Sequence, residues 1–317
     1  MKTVSVIIIV YNDARFIERA ILSALNQTYN ALEIIVIDDG STDSSLAIAK
    51  SFEKKGVRVF SKTNGGAASA RNLGAKQASG KYLAFLDSDD VWVPQRVEKM
   101  MCACDSAQDP CLVFSGYFFV NEKLKPIMKP FIARSSNPYQ EVLRCKNQMI
   151  PSTMIIHRKI FDTLNGFSEE PKVRGYEDAV FTLLATQQFQ SIPVAEPLTL
   201  YLYSDSGQGR VAVYNYEESL SRQKAVLNEV QPFLNNSDFT LFQKSAWQST
   251  FCKFAMYGQL KSARRLKKEM QIRTIDLLFS IRGGLALFSA YSRINLLLTC
   301  KNGLQAVYKM FARSIPL

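Results

Sequence analysis

The amino-acid sequence predicts an α/β fold, in which helices flank a mostly parallel sheet. Three observations lead to this prediction. Short apolar runs rich in Val and Ile alternate in the N-terminal half with segments whose apolar residues recur at helical spacing. Turn and capping residues such as Asp, Asn and Gly follow these runs. The runs are apolar at successive positions, which is typical of parallel strands buried on both faces.

The predicted elements follow one another in alternation. Residues 5–10 form the first predicted strand, and the apolar spacing of residues 16–25 predicts a helix after it. Further strands are predicted at residues 32–37, 57–60, 82–86 and 111–120. Further helices are predicted to begin near residue 43, at residues 67–78 and around residues 179–184. Residues 124–132 are predicted to form a return strand or a loop.

The predicted strand at 82–86 ends in three carboxylates within four residues: Asp87, Asp89 and Asp90. Like charges this close repel, so the group requires a cation or another strong partner. An Asp-x-Asp sequence at the end of a buried strand suits a divalent ion that could hold a diphosphate, and oxygen ligands favour Mg²⁺ or Mn²⁺ over zinc. Ligands of parallel sheets bind beyond the carboxyl ends of the strands, where Tyr11 and Asp39 are also expected.

The motifs at this edge occur in an order that closely resembles the family 2 glycosyltransferases, which have the GT-A fold. The resemblance covers roughly the first two hundred residues. It is carried by residues 4–8 with 11–12, 23–29, 38–43, 64–66 with 70–72, 87–90, 151–153, 166–167 and 175–178. No single motif would suffice, but the ordered set is highly specific.

The resemblance implies a site for a nucleotide-diphosphate sugar. Asp39 would accept a hydrogen bond from the base, usually uracil, and the ring of Tyr11 offers a surface on which a base could stack. Asp87 would touch the ribose or the metal, and Asp89 would ligate Mn²⁺ or Mg²⁺ between the two phosphates. The residues expected to bind the nucleotide sugar are Tyr11, Asp13, Asp39, Gly66, Arg71, Asp87 and Ser88.

The residues themselves leave simpler interpretations open. Asp39 also suits a helix cap or a turn, and Tyr11 could simply pack against its neighbours at a strand end. Gly66 lets the backbone approach a ligand closely. Arg71 could meet a phosphate, or it could equally pair with one of the carboxylates.

Asp178 is the predicted catalytic base. It and Glu177 would lie at a helix N-terminus, where the dipole favours the ionised form, and simple capping is the alternative. By resemblance, Asp178 removes the proton from an acceptor hydroxyl. The hydroxyl oxygen then attacks the anomeric carbon opposite the leaving nucleotide, so the configuration inverts. Glu177 would orient the loop or contact the acceptor.

One segment departs from the family pattern. Family members often carry an Arg-x-His-type segment that reaches the diphosphate or the metal, whereas residues 203–210 contain no histidine. Asp205 could ligate the metal instead, and Arg210 could supply the missing cation. The chain's single histidine, His157, follows an apolar run and is expected to be structural.

Positive charge is concentrated towards the end of the sequence. Of a net charge of +11, residues 250–317 contribute twelve basic and two acidic side chains. Arg282 and Arg293 interrupt the apolar segments there, so no run reaches the roughly 18–20 residues that span a bilayer. Apolar helices with interspersed arginines suit an anionic membrane surface. The alternative is a helical bundle with a solvated basic face, or a contact between copies of the chain. Basic charge alone is not specific, so no nucleic-acid partner is expected.

The sequence also leads to expectations about location and domains. No Cys-x-x-Cys pair occurs among six cysteines, so a reduced compartment is the default. We expect a cytoplasmic protein, peripheral on the inner face of the membrane. Residues 1–212 are expected to form the catalytic domain, with a nucleotide-sugar-binding half at 1–110 and an acceptor-side half at 111–212. Residues 213–317 are expected to form a basic, apolar helical extension.

Two functions follow as alternatives. The first is an inverting, metal-dependent glycosyltransferase that moves a sugar from a nucleotide-diphosphate donor, with UDP expected, to a hydroxyl of a saccharide or lipid-linked acceptor. Its expected setting is cell-surface polysaccharide or glycoconjugate synthesis. The second is a non-catalytic nucleotide-sugar-binding or scaffold protein that retains the fold. The aspartates at 39, 87, 89 and 178 favour the first, and the altered loop at 203–210 favours the second.

Overall fold

The computed structural model describes residues 3–30, 32–107, 110–145, 149–203, 216–256 and 260–270. The chain divides into two compact units, residues 1–142 with 147–208 and residues 143–146 with 209–317. The predicted boundary between residues 212 and 213 lies outside the described residues. The predicted division of the catalytic domain after residue 110 stays a prediction.

The sheet of the first unit has eight strands among the described residues. They are β1 Val4–Val10, β2 Leu32–Asp38, β3 Arg58–Ser61, β4 Tyr82–Asp87, β5 Val91–Trp92, β6 Cys111–Val120, β7 Met154–His157 and β8 Gln190–Leu202. Their spatial order is β3-β2-β1-β4-β7-β6-β8-β5. The first four strands of this order and the β6/β8 pair are parallel, whereas β7 and β5 run antiparallel to their neighbours. The predicted α/β fold with a mostly parallel sheet is therefore confirmed.

Helices flank the sheet and also form most of the described part of the chain after residue 215. They are α1 Ile17–Leu25, α2 Ser45–Ser51, α3 Ala67–Gln77, α4 Arg96–Asp105, α5 Pro138–Leu143, α6 Arg158–Thr163, α7 Glu177–Gln188, α8 Tyr216–Val230, α9 Asn236–Met256 and α10 Leu260–Glu269. Within the part of the chain that is described, none of the helices has both the length and the apolar character needed to cross a membrane. We call residues 250–317 the basic tail. Most of it, from residue 271 onward, lies outside the described residues.

The two faces of the sheet bury separate apolar clusters. Val6 and Ile8 of β1 belong to one cluster and Ile7 to the other, because alternate side chains of a strand point to opposite faces. Residues of α1 and α4 join the first cluster, and residues of α3, α6 and α7 join the second. Burial on both faces explains why the strands have continuous apolar sequences. Residues 124–132 form a loop that touches β6 through two isolated bridges.

His157 and its neighbour lie at the junction of β7 and α6. The Nδ1 atom of His157 accepts the main-chain N–H of Lys159 at 3.0 Å and so caps α6. Arg158 donates to the carbonyl oxygens of Ala75, Ala78 and Gly80, at and just beyond the end of α3. These contacts satisfy carbonyl groups that a helix end leaves unpaired. The expected structural role of His157 agrees with these contacts.

The helix α3 lies close to β1 because position 74 is glycine. A Cβ atom at Gly74 would lie 2.3 Å from Cγ2 of Ile7 and 3.2 Å from Cγ1 of Ile37. Side chains do not tolerate contacts this short, so any larger residue would push the helix away from the sheet. The position of α3 matters because this helix carries Arg71.

Replacing Gly74 by Ala is expected to destabilise the first unit by about 1–3 kcal/mol, because the added methyl group overlaps Ile7. The loss should occur although alanine favours helices more than glycine does. Urea unfolding followed by circular dichroism measures the change. Lys76→Ala, at an exposed position of the same helix, is the matched control and should change the free energy of unfolding by less than about 0.5 kcal/mol. Equal unfolding midpoints for Gly74→Ala and the native chain would contradict this packing.

Candidate active site

The loops that follow β1 and β2 are tied together at the carboxyl edge of the sheet. The Oδ1 atom of Asn12 accepts the main-chain N–H of Thr42 at 2.7 Å, and the main-chain N–H of Asp13 donates to Oγ of Ser45 at 2.9 Å. Asn12 has a φ of 49°, a left-handed conformation that asparagine tolerates better than most residues. Tyr11 lies beside it with 51% of its surface exposed. Residues from two separate motifs are therefore neighbours at this edge.

Asp39 holds the Gly65–Gly66 turn in place. Its Oδ1 accepts the N–H of Gly65 at 2.9 Å, and its Oδ2 accepts the N–H of Gly66 at 2.7 Å. The Nζ atom of Lys62 lies 2.7 Å from the same Oδ1. Asp39 is only 4% exposed, so it shapes the turn at the start of α3 from within. Oδ1 thus already meets two donors, whereas Oδ2 meets one and has a second lone pair for another donor.

Gly66 meets two requirements that another residue would not. Its φ is 93°, in the region that favours glycine. A Cβ atom there would also lie 2.9 Å from both Nε and Nη2 of Arg174. The guanidinium of Arg174 therefore packs against the turn, which brings the loop before α7 to the same edge of the sheet.

Arg71 is the buried centre of the site. Its Nη2 lies 2.7 Å from Oδ1 of Asp87, and its Nη1 lies 3.3 Å from Oε1 of Glu177. The side chain is 6% exposed, and its guanidinium carbon lies 5.5 Å from the centre of the Phe167 ring. Burial acts to lower the pKa of Arg71, but the charges of Asp87 and Glu177 outweigh it and the pKa is raised. Of the two interpretations of Arg71, pairing with carboxylates is the arrangement found.

Glu177 and Asp178 form the first turn of α7 and have different surroundings. Glu177 accepts the main-chain N–H of Gly175 through Oε2 at 2.5 Å, in addition to its contact with Arg71. Asp178 is partly buried, and its Oδ1 accepts the N–H of Ala179 at 2.8 Å. Burial raises the pKa of Asp178 to about 6, the charge of Glu177 contributes to the rise, and Arg71 opposes it. Asp178 is therefore a stronger base than an ordinary aspartate.

The acidic loop, which we define as residues 87–90 at the end of β4, is held by three neighbouring segments. The main-chain N–H of Asp87 donates to Oγ of Ser152 at 3.1 Å, and Oγ of Ser88 donates to Oδ2 of Asp13 at 2.5 Å. The Oδ1 atom of Asp90 accepts the main-chain N–H of the last residue of β8 at 3.0 Å. These contacts connect the acidic loop to the loop after β1, to the segment before β7 and to the end of β8.

Two arginines provide positive charge beside the acidic loop. Arg71 pairs with Asp87, and Nη2 of Arg19 donates to the main-chain carbonyl of Asp89 at 2.9 Å. The charge of Arg19 also interacts with the carboxylates of Asp89 and Asp90. The expectation that these three carboxylates require a cation or another strong partner agrees with these contacts, and the protein itself supplies two cations. The sequence does not reveal the compensation, because Arg19 and Arg71 belong to other elements.

The acidic loop offers oxygen donors for a divalent ion. Across the described ranges, no group of three or more His, Cys, Asp or Glu side chains is arranged to hold a metal. Mg²⁺ is usually held by one or two carboxylates, with substrate phosphates and water as the other ligands. Asp89, with Asp87 two positions before it, fits a site of this kind. Ligands from outside the protein would have to complete the coordination.

Some site residues were not predicted, and some predicted ones cannot be compared. Lys62 and Arg174 were not predicted, because each contacts a partner far away in the sequence and no local pattern marks it. Ser152 belongs to the 151–153 motif, but its contact with Asp87 was not predicted. Asp205 and Arg210 lie outside the described residues.

The order of the motifs and the arrangement at the carboxyl edge agree with one protein family. The model of glycosyl transferase family 2 matches residues 5–164, half of the chain. The chain belongs to glycosyl transferase family 2. The matched segment includes Asp39, Arg71 and the acidic loop and ends before Asp178. The predicted family is therefore confirmed.

Relatives of the chain are themselves described as glycosyltransferases. An uncharacterized glycosyltransferase of Haemophilus influenzae is 45% identical over 104 residues, which are 32% of this chain and 42% of that protein. The putative teichuronic acid biosynthesis glycosyltransferase TuaG of Bacillus subtilis is 34% identical over 203 residues, 62% of this chain and 78% of TuaG. The chain spans less than half of the Haemophilus protein, so the similarity covers only part of that relative.

Solved structures share the fold of this family 2 chain. TarS of S. aureus, residues 1–349, has a TM-score of 0.62 at 20% identity and covers 80% of this chain and 74% of the TarS chain. The mannosyltransferase PcManGT from Pyrobaculum calidifontis, solved with GDP-Man and Mn²⁺, has a TM-score of 0.55 at 16% identity and covers 90% and 80% of the two chains. At these identities the likeness establishes the fold, and the predicted GT-A architecture is confirmed.

Arg71→Met is expected to destabilise the protein by about 3–5 kcal/mol at pH 7, because it leaves buried carboxylates without their cation. The loss should be smaller at pH 5. Without Arg71 the pKa of Asp178 rises further above that of the unfolded chain, so protonation stabilises the folded state as pH falls through this range. Urea unfolding at several pH values measures both effects.

The control for Arg71→Met is Arg58→Met, which removes a surface ion pair with Glu33. Its cost should be about 1 kcal/mol or less and nearly the same at pH 5 and pH 7. If the free energy of unfolding that Arg71→Met loses is the same at pH 5 and pH 7, the proposed balance between Arg71 and the neighbouring carboxylates is contradicted.

Proposed function

We propose that the chain is an inverting glycosyltransferase that moves a sugar from a nucleotide-diphosphate donor to an acceptor hydroxyl. The observation that carries this proposal is the position of Asp178, on the first turn of α7 and next to the Arg71–Asp87–Glu177 ion pairs. Its raised pKa of about 6 suits a general base near neutral pH. Membership of family 2 supports the same class of reaction.

The donor nucleotide would lie along the carboxyl edge of the sheet. Tyr11 offers an exposed ring on which the base could stack, and Asp39 could accept a hydrogen bond from the base through the second lone pair of its Oδ2. Ser88 and Asp13, which follow β4 and β1, are joined by a hydrogen bond at the same edge. Gly66 has no side chain that would cover the main chain there, and the guanidinium of Arg174 brings positive charge close to it. Their proximity supports a single donor site made from separate motifs.

Asp178 would remove the proton from the acceptor hydroxyl as the oxygen attacks the anomeric carbon. The new bond forms on the face opposite the leaving nucleotide diphosphate, so the configuration at this carbon inverts. The diphosphate leaves with the electron pair of the broken bond, and the proton stays on Asp178. Arg71 and Glu177 would keep this carboxylate at a fixed distance from Asp87.

A divalent ion, Mn²⁺ or Mg²⁺, would neutralise negative charge on the departing diphosphate when bound. We propose Asp89 as its protein ligand and Asp87 as a contact to the ribose or to the ion. The oxygen-only donors of the acidic loop support this choice over zinc. The solved complex of PcManGT contains Mn²⁺, which supports a similar requirement here.

For the donor we propose a UDP-sugar, and for the acceptor a saccharide or a lipid-linked saccharide. TarS has been solved with UDP and with UDP-GlcNAc, which supports UDP as the nucleotide. TuaG is described as a putative enzyme of teichuronic acid biosynthesis, which supports a role in cell-surface polysaccharide synthesis.

Asp178→Asn is expected to lower the rate of UDP release from UDP-sugars by about 10²- to 10⁴-fold, because it removes the general base. Affinity for UDP should stay within about threefold, because Asp178 is not a proposed nucleotide contact. The native rate should fall as pH drops below about 6, since protonated Asp178 cannot accept the proton. Measurement is by UDP release with Mn²⁺ across a panel of UDP-sugars, together with a thermal-shift titration of UDP.

Asp162→Asn is the matched control, because Asp162 is an exposed aspartate on α6. This variant should keep the native rate. UDP binding without sugar release in the native chain would favour the alternative of a non-catalytic nucleotide-sugar-binding protein. A native chain that binds no nucleotide would refute the donor site itself.

We further propose that the basic tail holds the protein on the cytoplasmic face of an anionic membrane. The twelve basic and two acidic residues of positions 250–317 support this location. The tail could instead form a contact between copies of the chain.

Arg282→Gln with Arg293→Gln is expected to weaken binding to vesicles that contain phosphatidylglycerol by about 1 kcal/mol per removed charge. Cosedimentation at low and high salt measures the effect. Lys54→Gln with Lys55→Gln removes the same charge from exposed positions of the first unit and should leave binding unchanged. Equal losses in the two double variants would argue for a general charge effect and against a membrane-binding tail.

A further inference from the structure

Arg19 links three parts of the first unit that the proposed mechanism does not otherwise connect. It lies on α1, and its Nη2 donates to the main-chain carbonyl of Asp89 at 2.9 Å. Its Nη1 donates to the main-chain carbonyl of Glu122 at 2.9 Å, in the turn that follows β6. One guanidinium therefore joins the acidic loop to the turn after β6.

The guanidinium of Arg19 is supported from one side by an aromatic ring. Its carbon lies 4.3 Å from the centre of the Phe16 ring, and Phe16 is itself 8% exposed. A planar cation on a buried ring has little freedom to turn, which favours one orientation of its hydrogen-bond donors. Arg19 is therefore placed to hold two carbonyl groups in a fixed relation.

Negative charge surrounds Arg19 on several sides. The carboxylates of Asp89, Asp13, Asp90 and Glu122 all act to raise its pKa, although burial outweighs them and the pKa is lowered. Asp89, Asp13 and Asp90 belong to or contact the acidic loop. The positive charge of Arg19 reduces the repulsion that would otherwise push the acidic loop away from the loop after β1.

We propose that Arg19 is a positioning residue, which fixes the main chain of Asp89 so that its carboxylate can bind a divalent ion together with the donor diphosphate. This inference rests on the proposed function of the acidic loop. Arg19 itself would touch neither the ion nor the donor. Its contribution is geometric, because Nη1 and Nη2 of one planar guanidinium donate to carbonyls of two different segments, the turn after β6 and the acidic loop.

Lysine separates the geometry of Arg19 from its charge. An ammonium group on a flexible stem keeps the charge but lacks the planar fork that reaches two carbonyls in fixed directions. Arg15 offers a matched control: its guanidinium lies 4.7 Å from the same Phe16 ring and its Nη2 lies 3.6 Å from Oε1 of Glu122. That side chain is 68% exposed, so its ion pair should contribute little.

The experiment measures Mn²⁺ affinity of the full chain in the presence of UDP, by the electron paramagnetic resonance signal of free Mn²⁺. Arg19→Lys is expected to weaken Mn²⁺ binding about tenfold, the effect of losing one hydrogen bond to a charged group. Arg15→Lys should stay within about twofold of the native chain. UDP affinity without metal should be unchanged within about twofold in both variants, because Asp39 and Tyr11 lie on other loops.

Phe16→Leu tests the same idea if Arg19→Lys does not fold. It keeps the arginine but removes the ring that supports it, and it should also weaken Mn²⁺ binding, by about threefold or more. Native Mn²⁺ affinity in folded Arg19→Lys, or a lower melting temperature with native Mn²⁺ affinity, would show that Arg19 only stabilises the fold and would overturn the proposal. Tighter Mn²⁺ binding in Arg19→Lys would overturn it as well.

The same titrations separate this inference from the proposed function. A native chain that binds no UDP with Mn²⁺ refutes the donor site and, with it, the role of Arg19. A native chain that binds UDP with Mn²⁺, together with an unchanged Arg19→Lys, refutes the role of Arg19 alone.

Discussion

The site depends on the two ion pairs of Arg71, which connect three elements of the first unit. Arg71 lies on α3, Asp87 ends β4, and Glu177 begins α7. A guanidinium as buried as this one loses much of its hydration, which costs several kcal/mol unless carboxylates compensate it. Two carboxylates do so here, and both come from the carboxyl edge of the sheet. Because Glu177 begins α7, the same contact places Asp178, the next residue, beside the acidic loop.

Internal cations recur wherever the edge of the sheet carries clustered carboxylates. Lys62 lies against Asp39, Arg71 against Asp87, and Arg19 near Asp89. Each cation belongs to a different element from its carboxylate, so the pairs both reduce repulsion and join separate segments. Loops held in this way need little reordering when a ligand binds, which reduces the entropy lost on binding. The acidic loop is therefore shaped by the protein's own charges, and a divalent ion would add to them.

The sequence predicts the sheet well because its strands are continuous apolar runs with clear ends. The strand predicted at residues 32–37, for example, is found as Leu32–Asp38. The partners of Arg71 were not predictable, because they lie 16 and 106 residues away and either a phosphate or a carboxylate suits an arginine. The four-residue run Met154–His157 likewise gives no sign that β7 runs antiparallel between β4 and β6. Local sequence determines which residue types reach the edge, whereas their pairing depends on contacts between distant segments.

The division of roles between Glu177 and Asp178 follows from the same ion pairs. Both residues lie on the first turn of α7, where the helix dipole favours negative charge on either one. Glu177 accepts from Arg71 and from the N–H of Gly175, so its carboxylate is already committed to holding the loop. Asp178 is partly buried, and this burial, together with the neighbouring charge of Glu177, raises its pKa to about 6. The two adjacent carboxylates thus have different surroundings: an ion pair holds Glu177, whereas Asp178 accepts the N–H of Ala179 and has a raised pKa. Neighbouring carboxylates in different surroundings can take different roles in acid–base chemistry. Burial is the main cause of the raised pKa of Asp178, and the charge that Glu177 keeps for Arg71 adds to it, so the same ion pair that holds the loop also makes Asp178 a better proton acceptor.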